Sequence, residues 1–403
     1  MHWGLAGRLA VFISIVSVAI AADWPNWRGP DRNGIARQER LKTVWQGDVS
    51  ILWKGQIGTG FSSMAVMGGR VYAMGNRAET DSVYCLDALT GQVLWRHNYP
   101  CPLYPDLYEG GPSATPTVDQ GRVYTISKAA DAFCLDAVTG KVIWKRQLAE
   151  ELGIRPPRWC FAGSPVIYED LVIYNAGDAG LALMKKDGQV AWQNGTGPCG
   201  YSTGVIGTLA GKETAVLMGL AEVVGVDPRT GKVLWRYPWK TSWDINAADP
   251  IVVDGMLFVS SGYNKGCALL RIEADHPEAI WTSRAMCNHI NSSILWNGYI
   301  YGFDGQVGGG DSGKLRCIEA ASGRLMWSAG GMGVGSLILA DGKLVILSEN
   351  GRLVIADARP DGFKELASAQ ILEGKCWTSP VLANGLLYAR NAEGQIVCVD
   401  LRP

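Results

Sequence analysis

The sequence predicts an all-β fold: an eight-bladed β-propeller of four-stranded antiparallel blades, its ring closed by an N-terminal strand. Two observations carry this reading. The phrase CLDALTGQVLW at 85–95 returns as CLDAVTGKVIW at 134–144, VGVDPRTGKVLW ending at Trp235 and CIEAASGRLMW ending at Trp327. Fainter copies end at Trp192 and Trp281, so the Trp recurs every 43 to 49 residues. A fixed period of that size marks a repeat architecture. The second observation is that the C-terminal unit is one strand short, while a spare strand stands near the N-terminus.

Each copy encodes a hairpin. An apolar, β-prone run leads to Asp-x-x-Thr-Gly, where the side chains favour a turn and Gly adopts positive φ; a second β-prone run then ends in Trp. Upstream of each hairpin lies a Ser/Thr/Pro lead-in followed by alternating apolar residues around a Gly turn. Examples are SATPTVDQGRVYTI (113–126), DPIVVDGMLFVSSG (249–262), SLILADGKLVILSENG (336–351) and SPVLANGLLYARNAEG (379–394). Each unit therefore holds about four short strands with a period of two and no helical periodicity. Four-stranded units repeated radially are propeller blades.

Six blades end at Trp95, Trp144, Trp192, Trp235, Trp281 and Trp327. A seventh runs through LVIADARPDGFKELA (353–367), where Leu or Ala takes the Trp place. The last, 379–401, stops after CVDL, and its missing outer strand is ILWKGQIG (51–58) with Trp53. Sharing a blade between the chain ends removes the exposed sheet edges of an open ring. These seven Trp residues are expected to be buried between blades as docking residues. Seven blades is the competing count.

The expected domain plan is a signal peptide over 1–21, an N-terminal strap over 22–50 and the propeller over 51–403. Arg8 precedes the apolar run LAVFISIVSVAIAA, which is too short for a bilayer-spanning helix and ends in Ala19-Ile20-Ala21, a small-residue cleavage pattern. The mature chain is expected to be exported, periplasmic or secreted, without a transmembrane segment and monomeric. With 37 basic and 38 acidic residues and no basic run, nothing points to nucleic acid.

Ten cysteines in an exported chain raise the question of disulfides. Cys85, Cys134, Cys317 and Cys398 share one repeat position, too far apart in different blades to be bridged, and read as small buried hydrophobes. Cys101, Cys160, Cys199, Cys267, Cys287 and Cys376 are candidates for one or two bridges. No His has zinc-ligand spacing with a Cys.

The lead-ins to the inner strands ring one mouth of the central channel. They read RPPRWCFAGSP (155–165), CGYSTG (199–204), WKTSWDINAADP (239–250), MCNHINSS (286–293) and KCWTSP (375–380). Trp159, Trp243 and Trp377 supply aromatic faces, with charge from Arg158, Lys240 and Lys375. Asp244, Asn246, Asn288 and His289 supply polar groups. A concave site that mixes aromatic walls with a few polar groups suits a protein partner or a small ligand. Two motif matches carry no function. Gly200–Gly204 fits GxSxG but lacks the strand-to-helix turn of a nucleophile elbow. Gly308-x-Gly310-x-x-Gly313 fits a dinucleotide fingerprint with no βαβ unit around it. Asp304 and Asp311 beside it read as solvated turn carboxylates.

The AxDxxTGxxxW phrase resembles the tryptophan-docking repeat of pyrroloquinoline-quinone-type propellers. That superfamily includes quinoprotein alcohol dehydrogenases and the propeller subunit of the bacterial outer-membrane β-barrel assembly machinery. The segments DWPNWRGPDRNG (23–34), PWKTSWDINAADPIVV (238–253) and KCWTSPVLANGLLYARN (375–391) resemble exported propellers of planctomycete-type bacteria. The resemblance implies either a non-catalytic binding or scaffold protein of envelope or outer-membrane protein assembly, with no cofactor, or a dehydrogenase of alcohols or sugars. The second reading implies pyrroloquinoline quinone with Ca²⁺, and Asp244 as base or metal oxygen. The dehydrogenases' vicinal Cys pair and a CxxCH haem motif are absent, so the scaffold reading is preferred.

Overall fold

The computed structural model describes residues 22–37, 40–45, 48–273, 276–307 and 313–403. The expected signal peptide, and Asp311 with most of the Gly308–Gly313 motif, lie outside the described residues.

Thirty-two strands form eight antiparallel sheets of four, and the one helix among the described residues is the short Leu148–Leu152. Blades 1 to 7 span 65–100, 117–147, 166–193, 205–238, 251–283, 294–329 and 336–370. Blade 8 combines 381–400 with the N-terminal strand Ile51–Gln56, which pairs antiparallel with Gln395–Asp400 and sets Trp53 opposite Cys398. The eight-blade count and the closure by an N-terminal strand are therefore the observed architecture.

The repeat phrase works by local chemistry. Asp87 Oδ1 accepts from the Leu89 and Thr90 amides and from the Thr90 hydroxyl, and Asp136 does the same with Val138 and Thr139. The Thr hydroxyl bond, then the Thr amide, holds both carboxylates below their usual range. The next residue, Gly91 or Gly140, sits at φ +71° or +72°, which closes the turn.

That glycine also fixes blade packing. A Cβ on Gly91, Gly140, Gly188, Gly231 or Gly323 would lie 2.6–2.9 Å from the indole of Trp53, Trp95, Trp144, Trp192 or Trp281 in the preceding blade. The same indoles donate Nε1–H across the boundary, to the carbonyls of Ala88, Ala137, Lys185, Pro228 and Ala320 at 2.9–3.2 Å. Each Trp thus lies flat on the next blade's turn and bonds its backbone. Trp327 bonds Arg359 O at 2.8 Å, but packs on Phe363 because the turn of blade 7 is built differently. Trp53, Trp144, Trp192 and Trp235 are buried. Trp95, Trp281 and Trp327 are only partly buried, because the outer strand is an edge and one rim of the indole faces water.

In four blades a cross-strand row runs Tyr, Cys, Trp: Tyr72–Cys85–Trp95, Tyr124–Cys134–Trp144, Tyr301–Cys317–Trp327 and Tyr388–Cys398–Trp53. The phenol and indole centroids sit 6.0–6.1 Å apart. Only a small residue fits on the strand between two such rings. Ala182 and Gly225 fill the place in blades 3 and 4. The Tyr was not singled out from the sequence, although VYAM, VYTI, IYGF and LYAR display it.

The expected disulfides are not formed: all ten cysteines are free thiols, each buried. Cys101, Cys199, Cys267 and Cys376 are tucked among separate blade elements, where burial pushes their thiols up to about 12. Cys160 and Cys287 are raised by the same cause.

Blade 7 carries Ala367 at the docking position, opposite Ile355. Its neighbour's carbonyl does not go unpaired. The amide of Lys42 donates to Leu401 O at 2.9 Å, and the indole of Trp45 reaches Ser368 O at 3.3 Å. The N-terminal segment thus substitutes for the missing Trp.

Trp144→Ala is expected to lower stability by about 3–5 kcal/mol, the range for deleting a buried aromatic. Trp95→Ala, half-buried, is expected to lower it less. Chemical denaturation of the two variants checks that order.

Candidate functional site

The inner strands are joined by a belt of hydrogen bonds around the axis. At five of the eight boundaries the residue leading into a strand takes the backbone N–H of its counterpart one blade earlier. Ser63 N donates to Thr115 Oγ1 (3.1 Å), Thr115 N to Ser164 Oγ (2.9 Å) and Ser164 N to Thr203 Oγ1 (3.0 Å). Thr203 N then donates to Asp249 Oδ1 and Asp249 N to Ser292 Oγ, both at 2.8 Å. Asn291 to Gly335 O, Ser336 to Thr378 O and Thr378 to Phe61 O complete the circuit. Asp249 is the charged member of a belt otherwise made of neutral groups.

Its partners come from the N-terminal segment, which crosses the floor of the channel. Trp24 exchanges two backbone bonds with Val66 in blade 1, and Pro25 O accepts from Val118 in blade 2. Arg32 donates to Ile167 O in blade 3. Gly34 and Ala36 bracket Leu339 in blade 7, and Ala22 pairs with Asn384 in blade 8. Between these anchors Trp27 Nε1 donates to Asp249 Oδ2 at 2.6 Å, and Arg28 donates to Ser293 O at 2.6 Å with Asp249 at 3.9 Å. Gly29 is required here: at φ +83°, a Cβ would sit 2.9 Å from the ring of Trp24. Burial pushes the Asp249 carboxyl up and Arg28 opposes the shift; burial pushes Arg28 down and Asp249 opposes it. The floor of the channel is thus crossed by the chain's own indole and guanidinium.

The predicted mouth residues fall into three groups. Asn246 and Asn288 are buried clamps. The Asn246 amide donates to Gly219 O, Leu220 O and Trp239 O, and its oxygen accepts from Ser261. The Asn288 amide donates to Phe303 O and its oxygen accepts from Ser293. Both amides are consumed by loop backbone and neighbouring hydroxyls.

Trp159 and Trp377 belong to one aromatic run on the loop rim. Trp377 stacks on Phe61 at 5.5 Å, Phe61 meets Tyr108 at 5.5 Å, and Lys128 links the Tyr108 hydroxyl to Trp159 O. Lys375 lies 4.4 Å over Trp377 and pairs with Glu109, while Arg158 lies 4.7 Å over Trp159 and pairs with Asp106. Burial lowers the Lys128 ammonium to about 8.

Trp243, His289 and Asp244 gather at the junction of blades 5 and 6. Trp243 is 60% exposed and lines an open cleft of about 600 Å³ together with Tyr263, Asn264, Arg284, Asp304 and Arg316. Asp244, at φ 54°, lies next to it in the chain. His289 is buried behind the cleft: Val307 N–H donates to Nδ1 (3.3 Å), so the ring proton sits on Nε2 and faces the Tyr263 hydroxyl (2.9 Å). Burial lowers its pKa to about 4, so the imidazole is neutral. Asp304 is not a solvated turn carboxylate: it pairs with Arg316 at 3.0 Å and caps the Cys287 amide, because the turn folds back over the lead-in.

Sequence reading missed Trp27, Arg28 and Asp249, although a signal existed. Thr115-Pro116, Ser164-Pro165 and Ser379-Pro380 frame Asp249-Pro250 as the acidic variant of one repeated pair.

Four-stranded blades, docked indoles and closure between the chain ends define a propeller of the pyrroloquinoline-quinone-like repeat class. The sequence profile of the family described as outer membrane protein assembly factor BamB matches residues 79–329, more than half of the chain. The chain belongs to that family. BamB from Moraxella catarrhalis is 17% identical, with a TM-score of 0.65 over 88% of this chain and 100% of that one. The quinohemoprotein alcohol dehydrogenase from Comamonas testosteroni is 15% identical, with a TM-score of 0.67 over 94% of this chain and 80% of that one. A computationally designed protein, Ika8, is 10% identical with a TM-score of 0.61, over 88% of this chain and 100% of that one. At such identities the likeness is one of fold. No curated protein sequence matches the chain.

The depressed His289 pKa makes a signed prediction. Its stabilising contribution is complete above the unfolded value of about 6.5 and is lost as pH falls towards 4, up to about 3 kcal/mol. Unfolding free energies across that window should fall less steeply in His289→Gln than in the parent.

Proposed function

We propose that this chain is a non-catalytic binding propeller, a scaffold of the cell envelope whose partner surface is the loop rim carrying Trp159, Trp243 and Trp377. The observation that carries the reading is the occupied channel floor. In a ring of blades the axis is the one cavity that all blades share, and here Trp27, Arg28 and Asp249 cross its floor with their polar groups paired. What remains open to a partner is the rim, where aromatic faces alternate with Lys and Arg. Surfaces of this composition favour protein or ligand contacts, since exposed aromatic and Arg side chains supply most hot spots.

The family's description as an outer membrane protein assembly factor supports a place in the envelope, and the expected signal peptide supports export. Among the described residues no helix is long and apolar enough to cross a membrane. Monomeric behaviour accords with a ring that closes its own edges.

The quinone-dependent alternative draws support from the fold shared with quinohemoprotein alcohol dehydrogenases. The residues present do not fit its cofactor on the axis. Asp249 is the carboxylate there, and its oxygens accept from Trp27 and the Thr203 amide. Among the described residues, no three His, Cys, Asp or Glu side chains converge as a cation site.

Calorimetry with pyrroloquinoline quinone and Ca²⁺ separates the two readings. The scaffold reading expects no saturable heat and no alcohol-dependent dye reduction. Saturable binding with dye reduction would establish the dehydrogenase.

A further inference from the structure

We infer that the cleft between blades 5 and 6 binds an acidic sugar, a hexose unit carrying carboxylate or sulfate, with Trp243 as its stacking face and Arg284 as its counter-charge. This rests on the reading of the rim as a binding surface and names the ligand class for one part of it.

Arg316 and Asp304, both lining the cleft, neutralise each other at 3.0 Å, while Arg316 Nη1 donates to Ala285 O. Arg284 also lines the cleft and is exposed, yet among the described residues its guanidinium has no ion pair or hydrogen bond. Other exposed arginines such as Arg229 and Arg236 are paired, with Glu169 and Glu222. The cleft therefore carries one uncompensated positive charge on a planar fork, which matches a carboxylate or sulfate.

The shape argument excludes a flat aromatic anion. Such a ligand needs an enclosed apolar pocket that covers most of its surface. This cleft is open, and Trp243 is its one large exposed aromatic face. Besides the charged groups the wall offers a hydroxyl and an amide: Ser242 and Asn264 are exposed and without side-chain partners among the described residues. Amides and hydroxyls donate and accept together, which suits sugar hydroxyls better than any single-sense partner. A pyranose presents an apolar C–H face with polar edges, the complement of one indole framed by such groups.

The frame is preset. Asp244, Tyr263 and Asn264 hold positive φ of 54°, 55° and 58° without being glycine, and Tyr263 is pinned through its hydroxyl to His289. Strained loop positions persist where the surroundings over-determine them, often at ligand sites. The volume, about 600 Å³, is in the range of small-ligand sites.

The test is calorimetry of the full chain with three probes: oligogalacturonate, a sulfated galactan oligosaccharide and a neutral cello-oligosaccharide. Saturable binding of at least one acidic probe, about tenfold or more tighter than the neutral one, is expected. The carboxylated and sulfated arms identify the anion. Trp243→Ala and Arg284→Gln should each weaken binding about tenfold or more at unchanged melting temperature, and Arg284→Lys should retain part of it. Absence of binding by both acidic probes, equal binding of the neutral probe, or binding indifferent to both substitutions overturns the proposal. Those failures would leave the scaffold reading intact, since that reading is decided by the quinone experiment.

Discussion

The structure depends on one contact made at five of the eight blade boundaries: an indole lying flat on the next blade's turn glycine while its N–H bonds that turn's backbone. A single such contact is modest, an aromatic burial plus one hydrogen bond. Repeated around a ring it becomes a closure condition, because the blades that use it must match a donor face to a receiving turn. It accounts for the Gly after Thr, which can bear no Cβ beneath the indole. It accounts too for the small residue, Cys, Ala or Gly, on the strand between Tyr and Trp. Where blade 7 lacks the indole, the N-terminal segment supplies an amide from Lys42 and an indole from Trp45 instead. The ring is thus completed by the same stretch of chain that provides the outer strand of blade 8.

That stretch also decides what the axis can do. The belt of Ser and Thr around the channel is nearly uniform, and one member, Asp249, breaks the symmetry. Through it Trp27 and Arg28 are drawn into the centre, and a potential shared cavity becomes part of the core. A buried charge of this kind contributes more to specifying one arrangement than to net stability, since desolvation offsets much of its Coulombic gain. In the binding reading proposed above, function lies on the loops, where Lys375 and Arg158 stand over half-exposed indoles and Arg284 shares a cleft with Trp243.

Much of the fold was legible because it is local. The Asp-x-x-Thr-Gly turn, the period-two strands and the orphan Trp53 each lie within a few residues, and the repeat multiplies the signal. The site was legible only as a neighbourhood. Trp243 and His289 do meet at one cleft, but Asn246 and Asn288 are consumed as loop clamps, a fate set by carbonyls 7 to 27 residues away. Arg28 and Asp249 were illegible as a pair because 221 positions separate them and no local pattern links them. The disulfide expectation failed for a related reason. Cysteine count reports the compartment, whereas here the thiols serve as small apolar fillers whose spacing is set by blade geometry.

Hydrogen exchange followed by mass spectrometry tests the central claim, that the N-terminal segment is a structural part of the ring and its axis. Amides of 22–36 and 51–56 should be protected to the degree of the inner strands and exchange together with them, because Trp24, Ala36 and the Ile51–Gln56 strand are bonded into blades 1, 7 and 8. Exchange of 22–36 at the rate of an unfolded chain, while the blades remain protected, would contradict the account.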